Sequence, residues 1–369
     1  MKKVERQRFT RINQKGKKQM SEQKQRVLGL DILRLFCIFF IVCLHTEILN
    51  TVFGINFEPI CRFAVPCFFM ITGFFYKNTV EQKKEVAQIK KVIILIVTAN
   101  IMMILLNSIY YLSHNRSIVK WVQSMFSFEK VINCVFFNVN FITGHVETAH
   151  LWYLNALLYV LIIAFVFTKI GAFKVLFYLT PILLIGGLII ECFSEQLFGV
   201  NFKDTFQFYY YRNFLTIGIP YFCLGYLLNS IQYRIKLSTF LLFVFSVVFL
   251  AFSVVEMYLS NYFSLSSNGE FFITTPFCSA CIFLLFLKYF ENKSSKKIWN
   301  MIAVIGRKNV VWIYIFQYPI IIFIKDFFAK YSSALNNKVL VTILTLTLSL
   351  SIAIIVDKVI ECIKSKNNQ

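Results

Sequence analysis

Ten separate runs of about twenty apolar residues fill most of this chain and leave it few ways to fold. They fall at roughly 28–48, 59–76, 91–112, 150–168, 173–192, 212–231, 237–257, 271–289, 309–327 and 339–361. At about 1.5 Å per residue, a helix of about 20 residues crosses the roughly 30 Å hydrocarbon layer of a bilayer. With 58% of the 369 residues hydrophobic and only 15% charged, such runs are too many for a soluble core. They are solid apolar stretches, not ten-residue alternations, which argues against a β-barrel. The first run holds Asp31, Arg34 and His45 and is followed by no small-residue cleavage site, so it is not a cleaved signal peptide. The expected fold class is therefore all-α: a polytopic integral membrane protein of about ten transmembrane helices.

The formal charge of +20 then has to be placed. With ten spans and the N-terminus inside, 28 of the 38 Lys and Arg residues fall on the cytoplasmic side and eight on the outer side. That asymmetry is what orients membrane helices, and it puts both termini in the cytoplasm. The remaining two, Arg34 and Arg62, fall inside apolar runs. Orientation and attraction to anionic lipid at the cytoplasmic face account for the charge, so no nucleic-acid partner is expected. Residues 1–27 read as a basic, disordered cytoplasmic tail, 28–363 as the ten-helix membrane domain, and 364–369 as a second cytoplasmic tail. Within the domain, 113–149 is the longest outer segment. Trp121, Phe126, Phe128, Phe136, Phe137 and Phe141 alternate there with polar residues, the pattern of one or two helices lying along the membrane surface.

Several chemistries are missing from the sequence. The ten cysteines lie mostly within the apolar runs, where the thiol behaves as a small hydrophobe, and they form no disulfide framework. Cys278 and Cys281 make a C-x-x-C, but in an apolar helix without a neighbouring His, so no metal or redox site is expected. No Walker A loop, dinucleotide-binding glycine motif or H-E-x-x-H occurs.

Ionisable side chains inside lipid cost roughly 2.5–3.5 kcal/mol each, so those that persist need a partner, a cavity or a function. In the first run Asp31 and Arg34 stand at i, i+3, a spacing that makes an ion pair. His45 follows Arg34 by eleven residues, which returns to within about 20° on the helical wheel. The two share one helix face about 16 Å apart. Arg62, early in the second run, lies at the depth of His45. Glu47 and Glu58 flank that outer layer, and His150 with Trp152 opens the fourth run at the same level. His150 and His145 read first as interfacial side chains, with a binding role for His150 and Trp152 second.

At this point the residues resemble a known family. LDILRLFCIFFIVCLH, with Arg34, ten residues and then His45, resembles the first helix of the membrane acyltransferase-3 family. RFAVPCFFMITGFF is similar to its second-helix signature, with Thr72 where serine is usual, HLWYLNALL to its fourth-helix segment, and IGRKNVVWIYIFQYPI to a late-helix motif. The resemblance covers 28–363. It departs at Gln317, where the family usually has His and where an amide has no proton to transfer, and at Asn309, where serine is common. With the sequence ending soon after the tenth run, the version of the family expected is the stand-alone one, without the appended esterase-like domain of some members.

What the resemblance implies is an O-acyltransferase of the plasma membrane, bacterial in origin. It would carry no bound cofactor or metal and would move an acyl group, acetyl in the first instance, from acetyl-CoA to a hydroxyl of a glycan or lipid-linked sugar. The implied catalytic residues are His45 as general base, Arg34 toward the donor's phosphates, and Arg62 at the thioester oxyanion or the acceptor. Asp31, His150 and Trp152 would serve donor or acceptor binding. A transporter or flippase for a lipid-linked sugar would also want cations facing a cavity, but would be expected to show two similar halves, and no internal repeat is visible. A sensor or scaffold with a degenerate site is a third reading.

Overall fold

A computed structural model describes residues 27–53, 58–198, 212–263, 265, 269, 271–291, 293, 296–331 and 337–366. The basic tail 1–26, residues 367–369 and Lys203 lie outside the described residues. The elements are α1 (Leu28–Thr46), α2 (Ala64–Glu81), α3 (Glu85–Ser113), α4 (Ile118–Met125), α5 (Phe128–Phe137), α6 (Trp152–Lys169) and α7 (Phe173–Phe198). They continue as α8 (Ile219–Ile231), α9 (Thr239–Tyr262), α10 (Thr275–Phe290), α11 (Lys297–Lys308), α12 (Val310–Tyr331) and α13 (Lys338–Lys366). Among the described residues nine helical segments are long and apolar enough to cross a membrane, and α10 is a shorter apolar helix. The protein is thus an all-α, polytopic membrane protein, as lipid demands of a backbone that must satisfy its own hydrogen bonds.

The edges differ from the apolar runs in instructive ways. α3 begins six residues before its run, at Glu85, where Lys169 at the end of α6 sits 3.6 Å from the buried carboxylate. α13 runs on through Lys366, so residues 364–366 continue a helix and are not a separate tail. α10 is the short one, 16 residues or about 24 Å, because its outer end is stopped by a partner from another helix. The Glu256 carboxylate of α9 accepts from the backbone amides of Ile273 (2.5 Å) and Thr274 (3.2 Å) and from the Thr274 hydroxyl. It satisfies donors that a further turn would have used and places a negative charge at a helix N-terminus.

α1 is the hub of the bundle, packed against α2, α10, α11, α12 and α13. Glycine sets the closest approaches. A Cβ at Gly73 of α2 would overlap the Phe222 carbonyl of α8, and one at Gly225 of α8 would overlap the Met70 carbonyl of α2. Two helices that touch backbone to backbone in this reciprocal way gain the dispersion contacts that replace hydrophobic driving force within lipid. Gly306 does the same for α11, whose backbone lies against the Asp31 carbonyl of α1.

The outer segment folds as two short helices, α4 and α5, followed by an irregular stretch at 138–148 and a 3-10 turn at Ala149–Leu151. Ser117 and Ser127 cap them by accepting from the amides of Lys120 and Lys130. Trp121 is buried and its indole donates to the Thr143 carbonyl at 2.6 Å, while Phe126, Phe128 and Phe136 stay exposed. The irregular stretch is held by buried asparagines. Asn107 of α3 accepts from the Val146 amide (2.9 Å) and donates to its carbonyl (3.2 Å), and Asn138 accepts from the Phe214 amide (2.9 Å).

Replacing Asn107 with alanine leaves two buried backbone groups of Val146 without partners, each worth about 1–3 kcal/mol. The expected outcome is faster hydrogen exchange and proteolysis at 138–149, read by mass spectrometry, with the spans unchanged.

Candidate active site

Two cavities lie one above the other along α1. The outer one, about 60 Å³, is walled by His45 of α1, Arg62 just before α2, His150 and Trp152 at the start of α6, Arg212, and Tyr314 of α12. The structure thus brings together four residues expected from depth alone and adds two that the sequence did not single out. His150 is only 4% exposed, so it is a wall residue of the cavity and not an interfacial side chain. Buried groups are costly unless bonded, and its Nε2 meets the Ile315 carbonyl at 3.3 Å, which fixes that nitrogen as the protonated one. His145 does stay at the outer surface, stacked on Tyr110 and 2.6 Å from the Asp326 carboxylate.

An aromatic frame sets the two imidazoles. The Tyr318 ring stands edge-on to His45, with centroids 5.3 Å apart, and stacks on His150, also at 5.3 Å. Its hydroxyl donates to Glu147 of the outer segment at 2.9 Å. The Tyr314 hydroxyl donates to the His150 carbonyl. Tyr314 and Tyr318 are one helical turn apart, so both face the site from one stripe of α12. Gln317, on the same helix, is fully buried, does not line the cavity, and its amide has no hydrogen-bond partner among the described residues. Asn309 has a structural task, donating to the Ala353 carbonyl at 3.1 Å and tying α12 to α13.

The positive charge of the outer cavity comes from two guanidinium groups. Arg62 lies 3.8 Å from Glu58 one turn earlier, and Arg212 sits over the Trp152 ring at 5.4 Å. Both act electrostatically on His45. Arg212 arrives through the turn at Phe214–Gly218, a five-residue π-helical segment whose first amides are capped by Asn213.

The second cavity, about 1140 Å³, opens at the end of the bundle that carries most of the basic residues. Asp31, Phe75, Asn78, Asn229, Lys288 and Arg307 are on its wall. Asp31 is the pivot. One carboxylate oxygen pairs with Arg34, as the i, i+3 spacing predicted, and the other lies 3.5 Å from Arg307 of α11. The Gly306 contact brings Arg307 there. Arg34 is not itself on either cavity wall; it stands behind Asp31, with its guanidinium 5.9 Å from the Phe75 ring centroid. Between the cavities Tyr153 packs on Phe69 (4.9 Å) and Tyr314 (5.7 Å), an aromatic partition at mid-depth.

The described part of the molecule is thus a multi-pass membrane protein with a small, cation-lined histidine site reached from one side and a large polar cavity on the other. A family profile described as an acyltransferase domain matches residues 27–358, nearly the whole chain. The chain belongs to the acyltransferase-3 family. It is 23% identical over 340 residues to a protein named amino-acid racemase from Enterococcus faecalis, a match covering 86% of this chain and 44% of that protein. The chain therefore spans less than half the length of that relative. No solved structure matches it.

Proposed function

We propose that this acyltransferase moves an acyl group, acetyl in the first instance, from acyl-CoA on the cytoplasmic side to a hydroxyl of a glycan or lipid-linked sugar on the outer side of a bacterial plasma membrane. The observation that carries the reading is the pair of cavities on α1: a large polar one with Asp31 and Arg307, and a small one with His45, Arg62 and Arg212. A nucleotide-bearing donor needs room and cations; a thioester carbonyl needs a narrow, water-poor place to react. About 16 Å of helix separates Arg34 from His45, a span that a flexible pantetheine arm can bridge.

In this mechanism the donor's phosphates sit in the cytoplasmic cavity against Arg307, whose planar fork matches phosphate oxygens, while Arg34, paired with Asp31 and off the cavity wall, adds positive charge from behind it. The thioester end passes Tyr153 into the outer cavity. His45, as a neutral imidazole, takes the proton of the acceptor hydroxyl while the oxygen attacks the thioester carbon. Arg62 and Arg212 stabilise the oxyanion. The carbon–sulfur bond then breaks, and the leaving CoA thiolate takes the proton from His45, so no proton is gained or lost overall. His150 and Trp152 hold the acceptor, and Asp31 orients the two arginines. A cavity of about 60 Å³ holds only a few waters, which supports a short acyl group at the point of reaction. The racemase activity in the relative's name is not extended to this chain, since the match covers 44% of that protein.

The test is sided. Purified protein is reconstituted in vesicles with its basic loops outward, labelled acetyl-CoA is added outside, and a glycan acceptor is enclosed. Label on the enclosed acceptor is the expected result. Passage of unacylated glycan across the bilayer, with no label transferred, would replace the enzyme with a flippase.

A further inference from the structure

A third cavity plays no part in that mechanism. It is a groove of about 650 Å³ on the lipid-facing side of the bundle, between α1, α9 and α10. Its walls are apolar and aromatic: Ile32 and Phe36 of α1, Phe240 and Phe243 of α9, and Phe286 and Tyr289 of α10. Five of the six lie within two turns of the cytoplasmic ends of their helices and Phe36 lies in the third turn, which is the depth of the first acyl-chain carbons of the inner leaflet. Its volume falls in the range of about 300–1,000 Å³ that takes a small ligand, and it is open along one side, as a chain lying in from the bilayer requires.

The mouth of the groove is positively charged. The Lys293 ammonium sits over the Tyr289 ring, 3.1 Å from its centroid, and Lys236 is exposed three residues before Thr239, itself a groove residue. Neither lysine forms an ion pair with a described carboxylate. The N-terminus of the 24-residue α9 opens at the same place, and the loop before it is fixed because Lys288 donates to the carbonyls of Ile235 and Leu237. Helix N-termini and uncompensated cations at the membrane surface both favour phosphate. An apolar recess at chain depth and a cationic rim at headgroup depth, on the same three helices, match one chemistry.

We propose that this groove is a binding site for one anionic phospholipid of the inner leaflet, with an acyl chain along Phe36, Phe243 and Phe286 and its phosphate at Lys236 and Lys293. The site is independent of the acyl-transfer reading and is tested by binding alone. Native mass spectrometry of the purified full-length protein, titrated with phosphatidylglycerol and with phosphatidylcholine of the same chains, gives the affinities.

Phosphatidylglycerol is expected to bind about fivefold tighter for each lysine engaged. Lys236→Gln with Lys293→Gln is expected to abolish that preference and leave the weaker chain-driven binding. Leu285→Trp, which fills the groove and leaves the rim intact, is expected to weaken both lipids. Equal affinity for the two lipids in the wild-type protein would overturn the proposal, as would a charge variant that binds phosphatidylglycerol as tightly as wild type. Preferential retention of a polyprenyl phosphate would overturn it in favour of a prenyl carrier.

Discussion

His45→Ala is expected to lower acyl transfer by about 10²–10⁴-fold, the usual contribution of a positioned general base. The loss belongs in kcat. On the proposed mechanism the donor's phosphates bind in the other cavity, about 16 Å away along α1, so the KM for acyl-CoA is expected to stay near its wild-type value. Mass spectrometry of envelope glycans from cells carrying the variant reads the product, and the abundance of the protein in membranes is read alongside. His145→Ala is the control, because His145 lies at the outer surface paired with Asp326 and does not wall the cavity. Glycan acylation that persists at the wild-type level with His45→Ala protein present in the membrane would remove His45 from the chemistry.

Gly73→Leu is expected to cost about 3 kcal/mol or more of stability, at the upper end for overpacking. The atom it strikes is the Phe222 carbonyl, part of a helix backbone that no rotamer change can move aside. α2 and α8 must separate, and with α2 goes Arg62 at its outer end. The comparison is Gly186→Ala, where an added Cβ meets nothing within 4 Å and a helical glycine is replaced by a better helix former, for a gain of up to about 1 kcal/mol. Thermal melts of the two variants in detergent, followed by size-exclusion fluorescence, should move in opposite directions. Equal melting temperatures would mean that α2 and α8 do not depend on this contact.

The spans were legible in the sequence because lipid permits few alternatives: an apolar run of about 20 residues must be a helix. The length of α10 was not, since its stop depends on Glu256, a residue on a different helix. The ion pair of Asp31 with Arg34 could be read from i, i+3 spacing, but Arg307 could not. It sits in a basic cytoplasmic stretch, and only the close contact at Gly306 tells it apart from a topology signal.

The outer cavity shows the same divide. His45, Arg62, His150 and Trp152 were grouped by depth, which a hydropathy pattern supplies. Arg212 looked like one more loop cation, because its position over Trp152 depends on the π-helical turn that follows it. Tyr314 and Tyr318 carry no charge and stand in an aromatic, apolar run that gives them no signal of their own, whereas Gln317, the polar residue between them, is buried without walling the cavity. The available signal was their one-turn spacing on the late helix.

The pivot role of Asp31 has a consequence for how the protein is made. Its second partner, Arg307, lies 276 residues further along the chain. At a synthesis rate of about 5–20 residues per second, roughly 15–55 s pass between the emergence of the two from the ribosome. Throughout that interval the first helix stands in the bilayer with its carboxylate paired to its own Arg34 but not yet to Arg307. The helices that complete both cavities, α11 and α12, are among the last to arrive. On the proposed mechanism activity is therefore acquired late in biogenesis, and a nascent chain halted before residue 307 is expected to be an inserted but catalytically silent membrane protein.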